Sequence, residues 1–284
     1  WSMDNSAFSR NWLQLRESVD HRSRSHALAS ALLDCLDSKQ RINILDLGSG
    51  TGSNLRYLSK YLGDLNQHWT LLDQDESLLE NIKTTSTNSM QIVPVVGNIL
   101  DKGLQLVQGS DLVTGSALLD LTSEEWLHNL AESLARQGCP AYFALSYTGN
   151  ISWFSHHKLK SNNSNPKDHN FICGLINRHQ RRDKGTGPAL GPLAVIRLDE
   201  LLRDRGYITK CHPSHWILGH EDSLLKKALI EDWSHSALEE CPDKKKKILS
   251  WRHSCLSLAD STDGILEVSH LDILAVPKLR YVNS

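Results

Sequence analysis

An α/β fold, built on a mostly parallel sheet with helices on both faces, is what three features of the sequence predict. Short apolar runs alternate with helix-patterned segments from residue 42 onward, and strands buried on both faces read as such continuous runs. The first run passes through a glycine turn straight into a helix, "INILDLGSGTGSNLRYLSKYL", the arrangement of a β–turn–α unit. The chain has 284 residues, 39% hydrophobic and 23% charged, enough apolar material for a core and too much for a disordered chain.

The elements follow in order. Residues 6–36 are predicted helical, ending in "SHALASALLDCL". The first strand and glycine turn come next, with a helix after them. "HWTLLD" is the second strand and "ESLLENIK" a helix; "QIVPVV" is the third strand and "DLVTGSAL" holds the fourth. "LTSEEWLHNLAESLARQG" is a helix, with Thr122 and Glu125 at capping-box spacing and Gly138 as its stop. "PAYFALSY" is the fifth strand. Residues 148–192 then break the alternation: they are polar and rich in Asn, His, Gly and Pro, around one apolar stretch, "FICGLIN". A helix "LAVIRLDELLRDRG", a strand "YITKCHPSHWIL", a helix within 221–240 and a last strand "ILEVSHLDILAVP" complete the chain. "DKKKK" (243–247) is expected to be a solvated loop or helix end.

Composition narrows the function. The net charge is −2, so no global field draws the chain to nucleic acid or anionic lipid. No apolar run has membrane-spanning length and no signal-peptide pattern opens the sequence. Trp1-Ser2 ahead of Met3 reads as an expression remnant. Cys35, Cys139, Cys173, Cys211, Cys241 and Cys255 form no CxxC pair, so reduced thiols and a cytoplasmic location are expected. His156, His157, His169 and Cys173 match no metal-ligand spacing, and no metal is expected.

The turn Asp46-Leu47-Gly48-Ser49-Gly50-Thr51-Gly52 carries the chemistry. A dinucleotide fingerprint needs glycine where Ser53 stands, and a phosphate-binding P-loop needs a lysine that is absent. An acid just before the glycines suits a ligand with positive charge. Asp73, 21 residues beyond Gly52 at the end of the second strand, can accept hydrogen bonds from both hydroxyls of a ribose. Asp75 competes for that role but also suits a helix N-cap. After the third strand, Asn98 offers both donor and acceptor to an adenine edge.

"ILDLGSGTG", "LLDQD", "VVGNI" and "DLVTGSALLDL" resemble the class I S-adenosylmethionine-dependent methyltransferases, over roughly residues 40–146. The resemblance implies a Rossmann-like, seven-stranded, mostly parallel sheet whose last strand is antiparallel, with residues 207–218 and 265–276 forming the terminal hairpin. It implies S-adenosylmethionine as cofactor, its amino-acid part at the glycine turn and its ribose on Asp73. The expected cofactor-binding set is Asp46, Gly48, Ser49, Gly50, Gly52, Asp73, Gln74, Asn98, Ile99, Ser116 and Arg24. One departure is Asn98, where many members carry aspartate. A single domain over 3–284 is expected, divided into an N-terminal helical lid (3–38), a cofactor-binding core (39–147), an acceptor-site insertion (148–192) and the rest of the sheet (193–284).

"WLQLRESVDHRSR", "HQRRDKGTGPALGP" and "HLDILAVP" further resemble a bacterial subgroup of these enzymes. The insertion loop 179–192 is expected to close over the methyl acceptor. Arg181, Arg182 and Lys184 are candidates to grip an anionic group, and His179, Asp183 and Asp120 are candidate bases. Tyr147 and Trp153, with His215 and Trp216, are candidates to line a pocket for a ring-shaped acceptor. Each has a structural alternative: a solvated charged linker, a helix cap at Asp120, core packing for the aromatics. Arg16, Asp20 and Arg24 share one helix face at four-residue spacing; either arginine can meet the cofactor carboxylate, or the set is surface ion pairing. The expected reaction is methyl transfer to a small molecule, with nucleic acid a less favoured acceptor because basic residues cluster only at 178–184 and 244–247. A non-catalytic S-adenosylmethionine-binding protein is the remaining alternative.

Overall fold

Five parallel strands lie side by side because each is followed by a helix that carries the chain back across the sheet. The computed structural model describes residues 9–36, 40–80, 82, 89–155 and 165–278; the Trp1–Met3 segment and His156-His157 lie outside them. The strands are β1 (Arg41–Leu47), β2 (Asn66–Asp73), β3 (Met90–Val96), β4 (Leu112–Ser116), β5 (Ala141–Ser155), β6 (Tyr207–Pro213), β7 (Trp216–Leu218) and β8 (Gly264–Pro277). Their order is β3-β2-β1-β4-β5-β8-β6, with β7 also on β8. β1 to β5 pair in parallel, and β8 runs antiparallel to β5, β6 and β7. Order reverses between β1 and β4, and ligands of open α/β sheets bind at that switch point, beyond the strands' carboxyl ends.

The expected seven strands become eight because "YITKCHPSHWIL" is interrupted. Its register on β8 continues across the break, from Pro213↔Leu271 to Trp216↔Val268. At the break the Nδ1 of His215 accepts the His270 N–H at 3.0 Å, a side chain taking the place of a ladder carbonyl. Pro94 sits on β3, the sheet edge, where a missing donor costs no ladder bond.

The helices are α1 (Arg10–Ser23), α2 (His26–Asp34), α3 (Ser53–Tyr61), α4 (Glu76–Leu79), α5 (Leu104–Leu106), α6 (Glu124–Gln137), α7 (His169–Gln180), α8 (Ala194–Asp204), α9 (Ser223–Glu240) and α10 (Lys245–Asp260). Strand alternation sorts them into two layers. Ile42 and Ile44 of β1 face a core shared with α1–α3, α7, α9 and α10, whereas Leu45 and Leu47 face the core of α6 and α8. The predicted N-terminal helix is two: Ser25 caps α2 through its hydroxyl and gives its own N–H to Asp272. The α6 cap is Ser123 rather than Thr122, whose hydroxyl instead donates to the Leu119 carbonyl. Gly138 ends α6 in the left-handed conformation, as its position predicts. Helix α10 has no counterpart in the sequence reading. Its lysines open it in solvent, and Ile248, Trp251, Cys255 and Ala259 bury one face.

Candidate active site

The glycine turn leaves β1 with Gly48, Gly50 and Gly52 all at positive φ, conformations that disfavour any side chain. A Cβ on Gly50 would stand 3.2 Å from Leu13 of α1, and one on Gly48 3.2 Å from Leu118. The turn thus forms the floor of a cleft of about 290 Å³ at the switch point. Gly48, Ser49, Gly50 and Thr51 form that floor; Asp73, Gln74 and Asp75 stand beside it, followed by Gly97, Asn98 and Ile99; Ser116, Ala117 and Leu118 close the β4 side.

Asp73 holds this geometry. Its carboxylate accepts the Gly50 N–H at 2.7 Å and the Asp75 N–H at 3.0 Å. Burial raises its pKa, and those backbone bonds oppose the rise. Asp75 caps α4 through the Ser77 N–H at 2.9 Å. Asn98 caps the wide helical turn Ile99–Gly103 through its side-chain oxygen, which accepts the Asp101 N–H.

Three residues of the expected cofactor set lie off the cleft wall: Asp46, Gly52 and Arg24. Alternation sends Asp46 beneath the turn, on the face of Ile42 and Ile44. There Asn54 of α3 donates to its Oδ1 at 2.6 Å and to Thr114 at 3.1 Å, and Arg24 donates to Asn54 at 2.8 Å. Arg24 is therefore held under the turn, over the Tyr57 ring at 4.0 Å. Gly52 is spent as the N-cap of α3. Asp46 is fully buried and its Oδ2 has no hydrogen-bond partner; burial pushes its pKa up to about 7, against the pull of Asn54 and Arg24. Sequence reading missed Asn54, whose signal was a polar residue in the first turn of an otherwise apolar helix face.

The N-terminal pair forms part of the wall rather than the surface. Arg16 donates to Asp20 twice, at 2.8 and 3.2 Å, with both side chains buried and both lining the cleft. Asp20 also accepts the Trp216 indole N–H at 3.1 Å.

The loop 181–190 crosses the carboxyl edge of the sheet because it is pinned to the start of α6. Ser123 N–H donates to Thr186 at 3.0 Å, and Leu190 N–H donates to the Thr122 carbonyl at 2.9 Å. Lys184, Gly185 and Thr186 line the cleft. The other charged candidates do not. Arg182 pairs with Glu239 at 2.5 Å and Glu240 at 2.7 Å on α9. His179 is buried with its Nε2 3.1 Å from Glu239. Arg181 is exposed. Asp183 accepts the Gly185 and Gly187 N–H groups at 2.7 and 3.0 Å, so it shapes the loop.

Asp120 stands in a 3-10 turn just after β4. It is 3% exposed and its Oδ1 has no hydrogen-bond partner. Burial pushes its pKa up to about 6, opposed by backbone hydrogen bonds from Asp120 itself and Tyr147 and by the charges of Arg16 and Lys184. It lines a small recess with Arg16, Ala117, Leu121, Leu145, Tyr147 and His270. Arg16, Ala117 and Leu121 also line the cleft, so the recess adjoins it. None of the four residues of the expected aromatic pocket lines the cleft. Trp153 is fully buried in the core, Trp216 packs under Arg16 at 5.0 Å, and His215 serves the sheet; only Tyr147 reaches the recess.

Among the described residues no helix is long and apolar enough to cross a membrane, and no group of three or more His, Cys, Asp or Glu is placed to hold a metal ion. No known protein family matches the sequence, and no curated protein matches it. Solved structures do match in three dimensions. Loganic acid methyltransferase, solved with SAH, superposes with a TM-score of 0.51 at 10% identity, covering 97% of this chain and 98% of its own. The cyclopropane synthase MmaA2 from Mycobacterium tuberculosis matches with a TM-score of 0.49 at 9% identity, over 94% of each chain. The fold is that of the class I methyltransferases.

Proposed function

We propose that the protein is an S-adenosylmethionine-dependent methyltransferase acting on a small molecule. The observation that carries this reading is Asp46: a buried carboxylate with one unpaired oxygen, under a positive-φ glycine turn that bares backbone to the cleft. A cation above that turn favours the ionised form of this buried carboxylate, whereas a pyrophosphate would disfavour it. Asp73 and Asp75 beside the floor suit a ribose, and Gln74, Asn98 and Ile99 suit the adenine that follows it. Ser116 lines the β4 side of the cleft and suits the reactive end.

When bound, the cofactor supplies an electrophilic methyl group on a sulfonium. The protein's part is to hold the acceptor in line and to exclude water; positioning of this kind supplies about 7–11 kcal/mol of a barrier. Leu13, Arg16 and Asp20 of α1 close one side, and Lys184–Thr186 close the other. Asp120 is the base where the acceptor must lose a proton, in place of His179, which Glu239 holds off the cleft. The small-molecule reading is favoured because the basic run 178–184 is partly neutralised: Arg182 is committed to two glutamates.

Asp73→Ala is expected to weaken S-adenosylhomocysteine binding about 10- to 150-fold, the loss of one hydrogen bond to a charged group at about 1.5–3 kcal/mol. Titration calorimetry on folded variant and parent checks it. Asp73→Asn, which keeps one acceptor for the Gly50 N–H, separates the ligand contact from the shape of the turn. Unchanged affinity in both variants would move the ribose contact to Asp75.

A further inference from the structure

We propose that the methyl acceptor is an amphoteric small molecule: a hydroxyl or amine on it enters the recess and gives its proton to Asp120, while an anionic group on the same molecule meets Lys184 at the cleft. This rests on the methyltransferase reading above.

Size comes first. The recess measures about 10 Å³, room for one group the size of a water. A ring or a branched alkyl group stays in the cleft, and only the reacting atom enters.

Hydrogen bonding comes second. The Tyr147 hydroxyl spends its proton on Asn177 at 2.9 Å, so it has only lone pairs to offer. The Nδ1 of His270 faces the Val268 carbonyl at 2.9 Å and must carry the hydrogen. Burial drives the His270 pKa down to about 3, so the ring is neutral and its Nε2 is an acceptor. Asp120 adds an unpaired carboxylate oxygen. Arg16 is the donor on this wall, and two of its five N–H groups go to Asp20. The unpaired Asp120 oxygen calls for an entering group that donates. A thioether, a tertiary amine or a carboxylate brings no proton and leaves the Asp120 oxygen unpaired.

The backbone shows that the recess is built rather than left over. Ala117 and Leu145 both line it, and both are non-glycine residues at positive φ, 53° and 55°. Such strain persists where surrounding structure enforces it. Ala117 N–H is held by the Ala144 carbonyl at 2.9 Å, and Leu145 N–H by Asp272 at 2.8 Å, inside a register shift of β5.

Charge places the second group. Of the loop cations, Arg182 is bound to Glu239 and Glu240, and Lys184 is the one on the cleft wall. Lys184 lines the cleft and Asp120 the recess beside it, with Arg16, Ala117 and Leu121 common to both walls, so the proposed molecule spans the two. In the reaction the acceptor's proton passes to Oδ1 of Asp120 and its freed lone pair bonds to the methyl carbon. The carbon–sulfur bond breaks with its electron pair staying on sulfur.

The test uses the full chain. Binding of S-adenosylhomocysteine is measured first by calorimetry. Saturation-transfer NMR on that complex then compares ω-amino acids of two to six carbons and the matching ω-hydroxy acids with three controls: alkylamines, fatty acids and ω-trimethylammonio acids of equal length. At one chain length, the amino or hydroxy acid should bind at least tenfold tighter than every control and accept a methyl group from S-adenosylmethionine. Lys184→Gln should remove that advantage over the alkylamine. Equal binding across the series, no binding at any length, or preference for the trimethylammonio acid overturns the inference while cofactor binding stands. Failure of S-adenosylhomocysteine to bind overturns both readings.

Discussion

Asp120→Asn is expected to lower kcat by about 10²–10⁴-fold, the range for a lost general base, with S-adenosylhomocysteine affinity unchanged. Asp120 must be ionised to accept a proton. With its pKa at about 6, kcat/KM of the parent should rise through that pH and level off above it; the variant should lose this acid limb. Stability should move the other way. A carboxylate whose folded pKa lies above its unfolded value binds more protons folded than unfolded between the two. It therefore costs stability as pH rises through that window, and the cost is complete above about pH 6. Asparagine carries no such cost. The variant should be as stable as the parent at pH 4 and more stable at pH 7, by about 1.4 kcal/mol for each tenfold of altered proton affinity. A variant that is inactive and also destabilised at pH 7 would mark Asp120 as a structural carboxylate.

Asp272→Ala is expected to cost about 3 kcal/mol or more. Asp272 is fully buried on β8 and accepts three hydrogen bonds: Ser25 N–H at 2.9 Å, Leu145 N–H at 2.8 Å and Tyr142 hydroxyl at 3.0 Å. Truncation strands three buried donors, each at about 1–3 kcal/mol. In a chain of this size that lowers Tm by roughly 6–12 °C, read by thermal denaturation. The same carboxylate joins the α1–α2 break to the strained Leu145 beside the recess. Asp272→Asn, which keeps an acceptor and loses the charge, should fall between parent and alanine. A Tm within 2 °C of the parent in the alanine variant, roughly the effect of a neutral surface change, would mean that water replaces the carboxylate.

The parallel sheet was legible because its strands are apolar runs separated by capped helices, and the glycine turn because only glycine takes three positive-φ positions so close together. Asp73 was legible from its place at the end of β2. What was not legible depended on contacts between distant segments. Nothing local to Arg182 reveals that two glutamates of α9, nearly sixty residues on, would take it out of the cleft. Lys184, two residues away, lines the cleft instead. Helix α10 was missed although Ile248, Trp251, Cys255 and Ala259 recur at helical spacing, because the lysine run at its start reads as a solvated loop. Asp272 carried a usable signal: alternation along an apolar strand puts it on the buried face, and a buried carboxylate needs donors. Its partners, spread over three elements, did not.

Titration calorimetry of the parent protein with S-adenosylhomocysteine, S-adenosylmethionine and NAD tests the central claim most directly. The geometry of the glycine turn, with Asp46 beneath it and Asp73 beside it, predicts saturable one-site binding of both S-adenosyl compounds and none of NAD. Saturable NAD binding with no heat from either S-adenosyl compound would contradict it.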